Sequence, residues 1–378
     1  MHSIESKTHN ILKSIFLLFV LSACQIQAQT LDQLKSTVIG LADEQMNRPL
    51  HTVVEKSVAP PSGDLHDWVT QAPYWWVDSK NPKGKYIRHD GKRNPEIDRW
   101  KDDQYFNEML RSTEMLSQAY VLTRDEKYAQ KASDNLRLWF IDPATRMNPN
   151  MNYGQFIPGI TMGRGEGIIA TRFIYKVPMI LERIKTSNQW THDDAKSLAG
   201  WFQAYVDWLK GSGIGLEEAR HVNNHLTWYM VQVVSIDLFL GHFESAQTTL
   251  KKLRDQVLEA QITTDGLQPR EIERTKSFSY SSMNLNAWWV LAYLAKNANI
   301  DFIQTTQGNR LFLATDALIP FDDLKKWPHQ QIDSNAQKDL CRAIFWVQRF
   351  SQDSKYQEAE TRFHCPQTLE SYFIKHES

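Results

Sequence analysis

The spacing of apolar and polar residues predicts a chain that is mostly helical beyond residue 100. Residues 102–122 keep their apolar side chains on one face, whereas residues 223–240 and 281–296 are apolar almost all round. Gly241 follows the first apolar run as a helix terminator. The same spacing predicts further helices near 125–140, 162–185, 194–211, 243–260, 308–317 and 334–352. Alternating amphipathic and wholly apolar helices predict an all-α fold, an (α/α) toroid of antiparallel hairpins.

A different pattern precedes the helices. Residues 31–56 follow a helical pattern, and prolines then interrupt the chain repeatedly through residue 100. We therefore predict a long ordered arm or lid over 57–100, within a single domain of residues 31–370. Between 80 and 93 the arm has six basic residues and only one acidic residue, Asp90. Such a segment suits the cover of a groove for an acidic polymer, and a solvated connector is the alternative.

The N-terminus has the pattern of an export signal. Lys7 and Lys13 precede the apolar run 15–21, which is too short to cross a bilayer as a mature helix. Residues 21–24 (Leu-Ser-Ala-Cys) match a bacterial lipobox, which predicts removal of 1–23 and lipidation of Cys24. Ordinary cleavage near residue 28 is the alternative. We expect a periplasmic or outer-membrane-anchored lipoprotein, or a secreted protein.

Composition narrows the class of protein further. With 42% hydrophobic and 23% charged residues, the chain can bury a large core and is neither disordered nor fibrous. A formal net charge of −1 gives no general attraction for nucleic acid, so a polyanion must be bound locally. The 13 tryptophans suit stacking on sugar rings or a tryptophan-rich core. In an oxidising compartment, Cys341 and Cys365 can form a disulfide or remain separate thiols.

Polar residues stand where the two apolar helices are predicted to begin. Asn223 suits an N-cap, and His225 is costly at the start of an apolar helix unless it is hydrogen-bonded or functional. Before the second helix, Arg274 can hold a carboxylate in a bidentate fork or pair with Glu271 or Glu273. A third segment, 148–167, is rich in amides and glycines and can donate hydrogen bonds or simply form turns.

Taken in order, these segments resemble the alginate-lyase-like superfamily of polysaccharide lyases. The resemblance runs from about residue 65 to 300 and rests on motifs whose order is more specific than any one alone: Ala72-Pro73-Tyr74-Trp75-Trp76, Asn148 to Gln155, Asn223-Asn224-His225 with Trp228-Tyr229, and Arg274-Thr275 with Tyr280. It implies an α/α toroid that cleaves a uronate polymer by β-elimination. Leu226 departs from the glycine often found there, and the arm is more similar to the glucuronan-cleaving branch.

The resemblance also assigns site residues. Asn224, His225, Arg274 and Tyr280 match the catalytic quartet. The expected substrate-binding residues are Tyr74, Trp75, Trp76, Arg88, Asn150, Asn152, Tyr153, Gln155, Arg164, Asn223, Trp228 and Arg270. We expect an acidic polysaccharide as the partner, no cofactor, no metal and no nucleic acid, with membrane contact only through a lipid anchor.

The chemistry of uronates supports those roles. Removal of H5 beside a carboxylate requires that carboxylate to be neutralised, which Asn224, Arg274 or a protonated His225 can do. Tyr280 has an ordinary pKa near 10 and needs a cation such as Arg274 to act as a base. In β-1,4-linked mannuronate or glucuronate, one tyrosine can take H5 and return the proton to O4, because both lie on one side of the ring. In guluronate, His225 is the natural base and Tyr280 the acid.

Three alternatives remain open from the sequence. His221 and His225 have the i,i+4 spacing of a zinc helix, but Val222 replaces the glutamate of that motif. A glycoside hydrolase on the same toroid would draw two carboxylates from Glu166, Asp265, Glu271 and Glu273. A non-catalytic sugar-binding protein would keep the aromatic residues and the basic arm and would not need Tyr280.

Overall fold

The computed structural model describes residues 33, 35–81, 83–334, 336–366, 371 and 374–375. The predicted signal segment 1–23, Cys24 and the alternative cleavage site near residue 28 lie outside the described residues. Among the residues that are described, no helix is both long enough and apolar enough to cross a membrane.

Helices make up most of the described chain and form an α/α toroid. A first helix, α1, covers 35–46. The others are α2 (Asp102–Thr123), α3 (Glu126–Phe140), α4 (Lys176–Ile184), α5 (His192–Gly211), α6 (Gly213–Glu218), α7 (Asn224–Phe239), α8 (Phe243–Lys252), α9 (Leu258–Gln261), α10 (Pro269–Ile272), α11 (Ser277–Asn297), α12 (Arg310–Leu318), α13 (Cys341–Phe350) and α14 (Ser354–Arg362). Short 3₁₀ segments cover Pro95–Arg99, Gly165–Tyr175, Leu324–Lys326 and Ala336–Leu340, and a π-helical turn covers Leu253–Val257.

The two wholly apolar helices, α7 and α11, pack against each other at the centre of the fold. Trp228 on α7 and the Trp288–Trp289 pair on α11 are buried in the core around them. α7 ends where the sequence predicts, because Gly241 adopts a φ of +79°, a conformation that side chains with a Cβ rarely take. Since both helices are buried along their length, only their ends can present groups to solvent.

Several predicted helices differ from the structure. The helix predicted over 334–352 is 3₁₀ from Ala336 to Leu340, and α13 begins only at Cys341. The helix predicted over 243–260 is interrupted by the π-helical turn Leu253–Val257. The helix predicted over 31–56 ends at residue 46, shortly before Pro49, since the residue before a proline disfavours the helical conformation. The helix predicted over 162–185 is 3₁₀ from Gly165 to Tyr175, and the α-helical part, α4, begins only at Lys176. Pro178 lies in the first turn of α4, where its missing N–H costs no intrahelical hydrogen bond.

Four short strands are present, three in the arm and one in the loop that contains Tyr153–Phe156. Strand β1 (Val69–Gln71) pairs in parallel with β4 (Tyr153–Phe156), and β2 (Trp75–Trp76) pairs antiparallel with β3 (Ile87–Arg88). A buried ion pair of 2.7 Å between Lys56 Nζ and Asp102 Oδ2 ties the start of the arm to α2. These contacts hold the arm against the helices, so that β2 and β3 lie next to the N-terminus of α11.

The C-terminal region is cross-linked. Cys341, the first residue of α13, forms a disulfide with Cys365, which follows α14, and the Cα atoms are 5.4 Å apart. Both half-cystines are buried in the core cluster that also contains α11. The disulfide therefore closes α13 and α14 into one hairpin packed on the central helices.

Candidate active site

The arm meets the N-terminus of α11 through two tyrosines. Tyr74, just before β2, and Tyr280, in the first turn of α11, share a hydrogen bond of 2.7 Å between their hydroxyl groups. They are 206 residues apart in the chain, so only the folded arm brings them together. Both side chains are half-buried, so the pair is partly accessible to solvent.

Arg274 lies over the ring of Tyr280. Its guanidinium carbon is 4.3 Å from the ring centroid, a cation–π geometry. The edge of the same guanidinium is taken by Asp90 of the arm, with Nε donating to Oδ2 at 3.1 Å and Nη2 donating to Oδ1 at 2.8 Å. The sequence predicts a glutamate or a substrate carboxylate in this fork, whereas the structure has an aspartate of the arm there.

Asp90 has further donors around it. The backbone N–H of Thr275 donates to Oδ2 at 3.4 Å, the hydroxyl of Thr275 donates to the same oxygen at 3.1 Å, and Arg88 donates to Oδ1 at 2.8 Å. Partial burial opposes ionisation, but the hydrogen bonds and charge of Arg274 outweigh it and lower the pKa of Asp90 to about 2. Asp90 is therefore ionised at neutral pH.

Tyr280 is not primed as a phenolate. Burial raises the pKa of Tyr280 well above its ordinary value, and Tyr74 raises it further through its charge and hydrogen bond, while Arg274 only partly opposes this. The sequence predicts that the cation beside Tyr280 prepares it as a base. The cation is present, but the loss of water around the phenol has the larger effect, so Tyr280 is protonated in the free chain.

Asn224 is the first residue of α7 and is almost completely buried. Its side-chain amide donates to Glu271 Oε2 at 2.7 Å, and its backbone N–H donates to Oε1 at 2.6 Å. Glu271 is 1% exposed, and burial raises its pKa against the effect of these hydrogen bonds. Glu271 therefore binds and orients Asn224, and the carboxylate that pairs with Arg274 is Asp90 rather than Glu271, which the sequence offered as an alternative.

His225 follows Asn224 and is oriented by a carboxylate that the sequence analysis missed. Its Nδ1 donates to Glu218 Oε1 at 2.8 Å, and Glu218, the last residue of α6, is fully buried. This contact places the proton on Nδ1, and Nε2, the other ring nitrogen, does not contact Glu218 through this hydrogen bond. A buried glutamate at the end of a short helix gives no sequence signal that separates it from an ordinary surface residue.

The zinc interpretation finds no support in this geometry. His221 also lies against Glu218, with its Nε2 3.4 Å from Oε2, and its ring is 5.0 Å from that of His225. Within the described part of the chain, no group of three or more histidine, cysteine, aspartate or glutamate residues is arranged to hold a metal ion.

Arg164 and Gln155 form a second polar group beside the helix termini. Arg164 donates to Gln155 Oε1 at 2.7 Å and to Glu166 Oε1 at 3.0 Å. Gln155 adopts a φ of +48°, a left-handed conformation unusual for a residue with a Cβ. Burial raises the pKa of Glu166, but the charge of Arg164 outweighs it, so the net pKa of Glu166 is lowered. These hydrogen bonds hold the side chains of Arg164, Gln155 and Glu166 together.

The remaining predicted binding residues divide into three groups. Trp75 and Trp76 pair across the hairpin with Arg88 and Ile87, and both tryptophans are half-buried on the arm. Arg270 is exposed and Tyr153 is half-buried in β4.

The other predicted binding residues take part in packing or in turns. Trp228 is 1% exposed and packs against Phe173, and Asn223 is the N-cap of α7. The side chain of Asn150 accepts a hydrogen bond from the Asn152 N–H, and the side chain of Asn152 accepts one from Trp208.

The carboxylates available to a glycoside hydrolase lie in different environments. Glu166 is paired with Arg164, and Glu271 is buried against Asn224. Asp265 accepts a hydrogen bond from Thr263 in an exposed turn, and Glu273 is exposed. None of these environments assigns one carboxylate as an acid and a second as its base.

A cavity of about 490 Å³ opens beside the tyrosine pair, on the arm side of the cleft. Tyr74 and Gln155 form part of its wall, so it adjoins the groups described above. Trp100 gives it an aromatic surface, and Arg93, Lys101 and Arg172 give it three cations. Asp98, which pairs with Arg93, and Asp103 add two acidic groups to the same lining.

Comparison with known proteins completes the description of this site. Residues 52–327 match the model of a protein family described as alginate lyase. An alginate lyase from Bacteroides ovatus is 31% identical, with 91% of this chain and 93% of that chain covered and a TM-score of 0.83. The fold is also similar to alginate lyase A1-III from Sphingomonas species A1, at 14% identity, 88% coverage of each chain and a TM-score of 0.50. No curated protein sequence matches.

Proposed function

This chain belongs to the alginate lyase family and is a polysaccharide lyase, and from that premise we propose that it cleaves a β-1,4-linked uronate polymer, poly-mannuronate (alginate) or glucuronan, by β-elimination. The family implies an acidic polysaccharide as substrate. We place the reaction at Asn224, His225, Arg274 and Tyr280. The observation that carries the proposal is the hydrogen bond between the Tyr280 hydroxyl and Tyr74 of the arm, with the Arg274 cation 4.3 Å from the Tyr280 ring centroid.

The reaction divides the site into two tasks. H5 leaves the sugar as a proton, a double bond forms between C4 and C5, the C4–O4 bond breaks, and O4 receives a proton. One task is therefore to stabilise charge at the C5 carboxylate, and the other is to move a proton between two positions on the ring. Tyr280 is our candidate for the second task, because its hydroxyl faces the arm that would cover the polymer.

Charge stabilisation falls mainly to the start of α7. Glu271 accepts one amide hydrogen of Asn224, and an amide has a second hydrogen to offer a substrate carboxylate. Glu218 fixes Nδ1 of His225 and leaves Nε2 for the same task. Arg274 contributes its charge, while its bidentate edge is occupied by Asp90. The sequence assigns the guanidinium fork of Arg274 to the substrate carboxylate. Because Asp90 occupies this fork, we expect the substrate carboxylate to contact Asn224 and His225 first.

The raised pKa of Tyr280 favours a second assignment of roles within the same reaction. A phenol that stays protonated is a suitable acid toward the leaving O4. His225 would then take H5 through Nε2, with Glu218 stabilising the charged ring. This arrangement fits guluronate, in which H5 and O4 lie on opposite faces, whereas proton transfer by Tyr280 alone fits mannuronate or glucuronate.

A polymer panel tests the proposal. Polymannuronate, polyguluronate, glucuronan and hyaluronan are each incubated with the protein, and absorbance is followed at about 235 nm, where a 4,5-unsaturated uronate absorbs. We expect an increase on at least one polymer, with new reducing ends in equal number. New reducing ends without the absorbance would identify a hydrolase. Binding without either signal would identify a non-catalytic sugar-binding protein.

We also propose that the protein is exported and anchored through Cys24. The support is the pattern of residues 1–24 in the sequence. Fractionation of cells that express the full chain tests it, with Cys24→Ser as the matched variant. The parent should be found in the membrane fraction and the variant should not, whereas equal distribution of both would contradict lipidation.

A further inference from the structure

Asp90 and Arg274 form an ion pair that differs from an incidental ion pair at the surface in its burial and in its number of hydrogen bonds. The two side chains are 184 residues apart and are only about a fifth exposed, and the carboxylate binds the guanidinium through two hydrogen bonds. Bidentate pairs of this kind fix the orientation of the guanidinium plane as well as its position. The plane so fixed lies 4.3 Å from the Tyr280 ring centroid.

Asp90 is itself held in place on the helix side. The hydroxyl of Thr275 donates to both its backbone oxygen and its Oδ2, each at 3.1 Å. The next residue, Gly91, has a φ of +71°, and a Cβ there would come within 2.4 Å of the Thr275 hydroxyl. The turn therefore needs glycine to approach this closely, and the resulting contact seats the carboxylate against Arg274.

We infer that Asp90 is a positioning residue, which holds the Arg274 guanidinium over the Tyr280 ring and so sets the electrostatic environment in which Tyr280 transfers its proton. The inference rests on the proposed function. In this inference Arg274 acts on Tyr280 rather than on the substrate carboxylate. Asp90, the acidic residue in the basic part of the arm, acts by holding Arg274 in place. The charged or titratable groups facing this unit are Tyr74, Arg88, Glu271 and Tyr280.

A competing role for Asp90 makes the opposite prediction. If Asp90 only occupies the fork until a substrate carboxylate displaces it, its removal frees Arg274 for the substrate and lowers KM. The direct effect of its negative charge is to raise the pKa of Tyr280, so removal would also lower that pKa. If instead Asp90 holds Arg274, its removal lets the cation move away and the pKa of Tyr280 rises.

The experiment compares Asp90→Ala with Asp78→Ala, a control on the same arm whose carboxylate accepts a local N–H, that of Lys80, at 2.9 Å. We expect Asp90→Ala to lower kcat at least about tenfold with KM changed less than about twofold, since misplacing a catalytic group costs rate rather than binding. The limb of the pH–rate profile that belongs to Tyr280 should move to higher pH. Asp78→Ala should match the parent.

A double-mutant cycle shows whether Asp90 acts through Arg274. In an Arg274→Ala background, Asp90→Ala should have almost no further effect on kcat, because the residue that it positions is gone. An equal loss in both backgrounds would overturn the inference. So would a lower KM, a shift of the limb to lower pH, or behaviour like the Asp78→Ala control.

A second variant covers loss of folding. If circular dichroism shows that Asp90→Ala is unfolded, Asp90→Glu keeps the charge but moves the carboxylate by one methylene. Its kcat should fall in the parent and not in the Arg274→Ala background, and an equal fall in both would contradict the inference. The activity of the parent separates the two proposals. If the parent shows no elimination on any polymer, the proposed function is wrong. If the parent is active and the Asp90 substitutions have no effect, only this inference is wrong.

Discussion

At the scale of single residues, the site depends on what surrounds each polar group. Tyr280 is a phenol with its pKa raised by burial and by Tyr74, with a cation held above its ring. Asn224 and His225 are each fixed by a buried glutamate, Glu271 and Glu218. The proposed reaction therefore uses groups whose orientation is set before the polymer binds, which avoids reorganisation during the reaction.

Replacing Tyr280 by phenylalanine tests its role directly. The change keeps the ring under Arg274 but removes the proton-carrying hydroxyl, so kcat should fall at least about 10²-fold. Tyr293→Phe is the matched control, on the same helix and away from the site. It should retain the activity of the parent. Elimination by Tyr280→Phe at a rate near that of the parent would show that another residue transfers the proton.

Tyr74→Phe gives a prediction about pH. Tyr74 raises the pKa of Tyr280, so loss of its hydroxyl should lower that pKa. If Tyr280 must be deprotonated to act as the base, the rising limb of kcat/KM against pH moves to lower pH. If Tyr280 must be protonated to act as the acid, the falling limb moves to lower pH instead. The pH–rate profile of the variant on each polymer therefore distinguishes the two roles, and no shift of either limb would show that the Tyr74 contact does not govern Tyr280.

At the scale of elements, the site forms where an arm crosses the ends of two buried helices. Most of the length of α7 and α11 is packed in the core, so on the side of the arm these helices present their first turns. The hairpin of β2 and β3 places Tyr74 and Asp90 over α11. An acidic polymer that binds here would pass the basic stretch of the arm.

Replacement of Lys83 and Lys85 tests whether the arm attracts an acidic polymer electrostatically. Arg88 is left unchanged because it donates to Asp90, and both lysines are exposed. Replacing the two lysines by alanine should lower kcat/KM about threefold at low ionic strength and flatten its dependence on salt, because steering of a polyanion weakens as counterions screen it. Lys251→Ala/Lys252→Ala, with the same change of charge on α8, is the control. Equal salt dependence in all three proteins would show that these lysines do not steer the polymer.

At the scale of the whole molecule, the C-terminal hairpin is cross-linked to itself. The disulfide between Cys341 and Cys365 closes a loop with a sequence separation of 24. Loop-closure entropy for this length contributes about 3.5 kcal/mol to the free energy of unfolding. The contribution supports the part of the core in which α11 is packed against α13.

Reduction should therefore lower the melting temperature of the protein. Differential scanning calorimetry with and without a thiol-free reductant measures this, and Cys341→Ser/Cys365→Ser is the control. The variant should melt at the temperature of the reduced parent and should not respond to the reductant. An unchanged melting temperature of the parent on complete reduction would show that the cross-link does not contribute to stability.

The sequence by itself determined the helical class, the two buried helices and the end of α7 at Gly241. Each of these depends on local spacing or on one residue's backbone freedom, so the information lies within a few turns of chain. The order of motifs also pointed to the family. The helix predicted over 31–56 was too long because the helical pattern extended past the constraint imposed by Pro49.

Only the tertiary structure decided which groups meet. Asp90 occupies the fork of Arg274, Glu271 binds Asn224, and Glu218 orients His225, and the sequence analysis identified none of these pairs. Trp228 has the same residue type as the arm tryptophans but is buried in the core. The pKa of Tyr280 also depends on how much water the fold excludes. Burial and partners arise from segments far apart in the chain, so residue type and spacing cannot determine them.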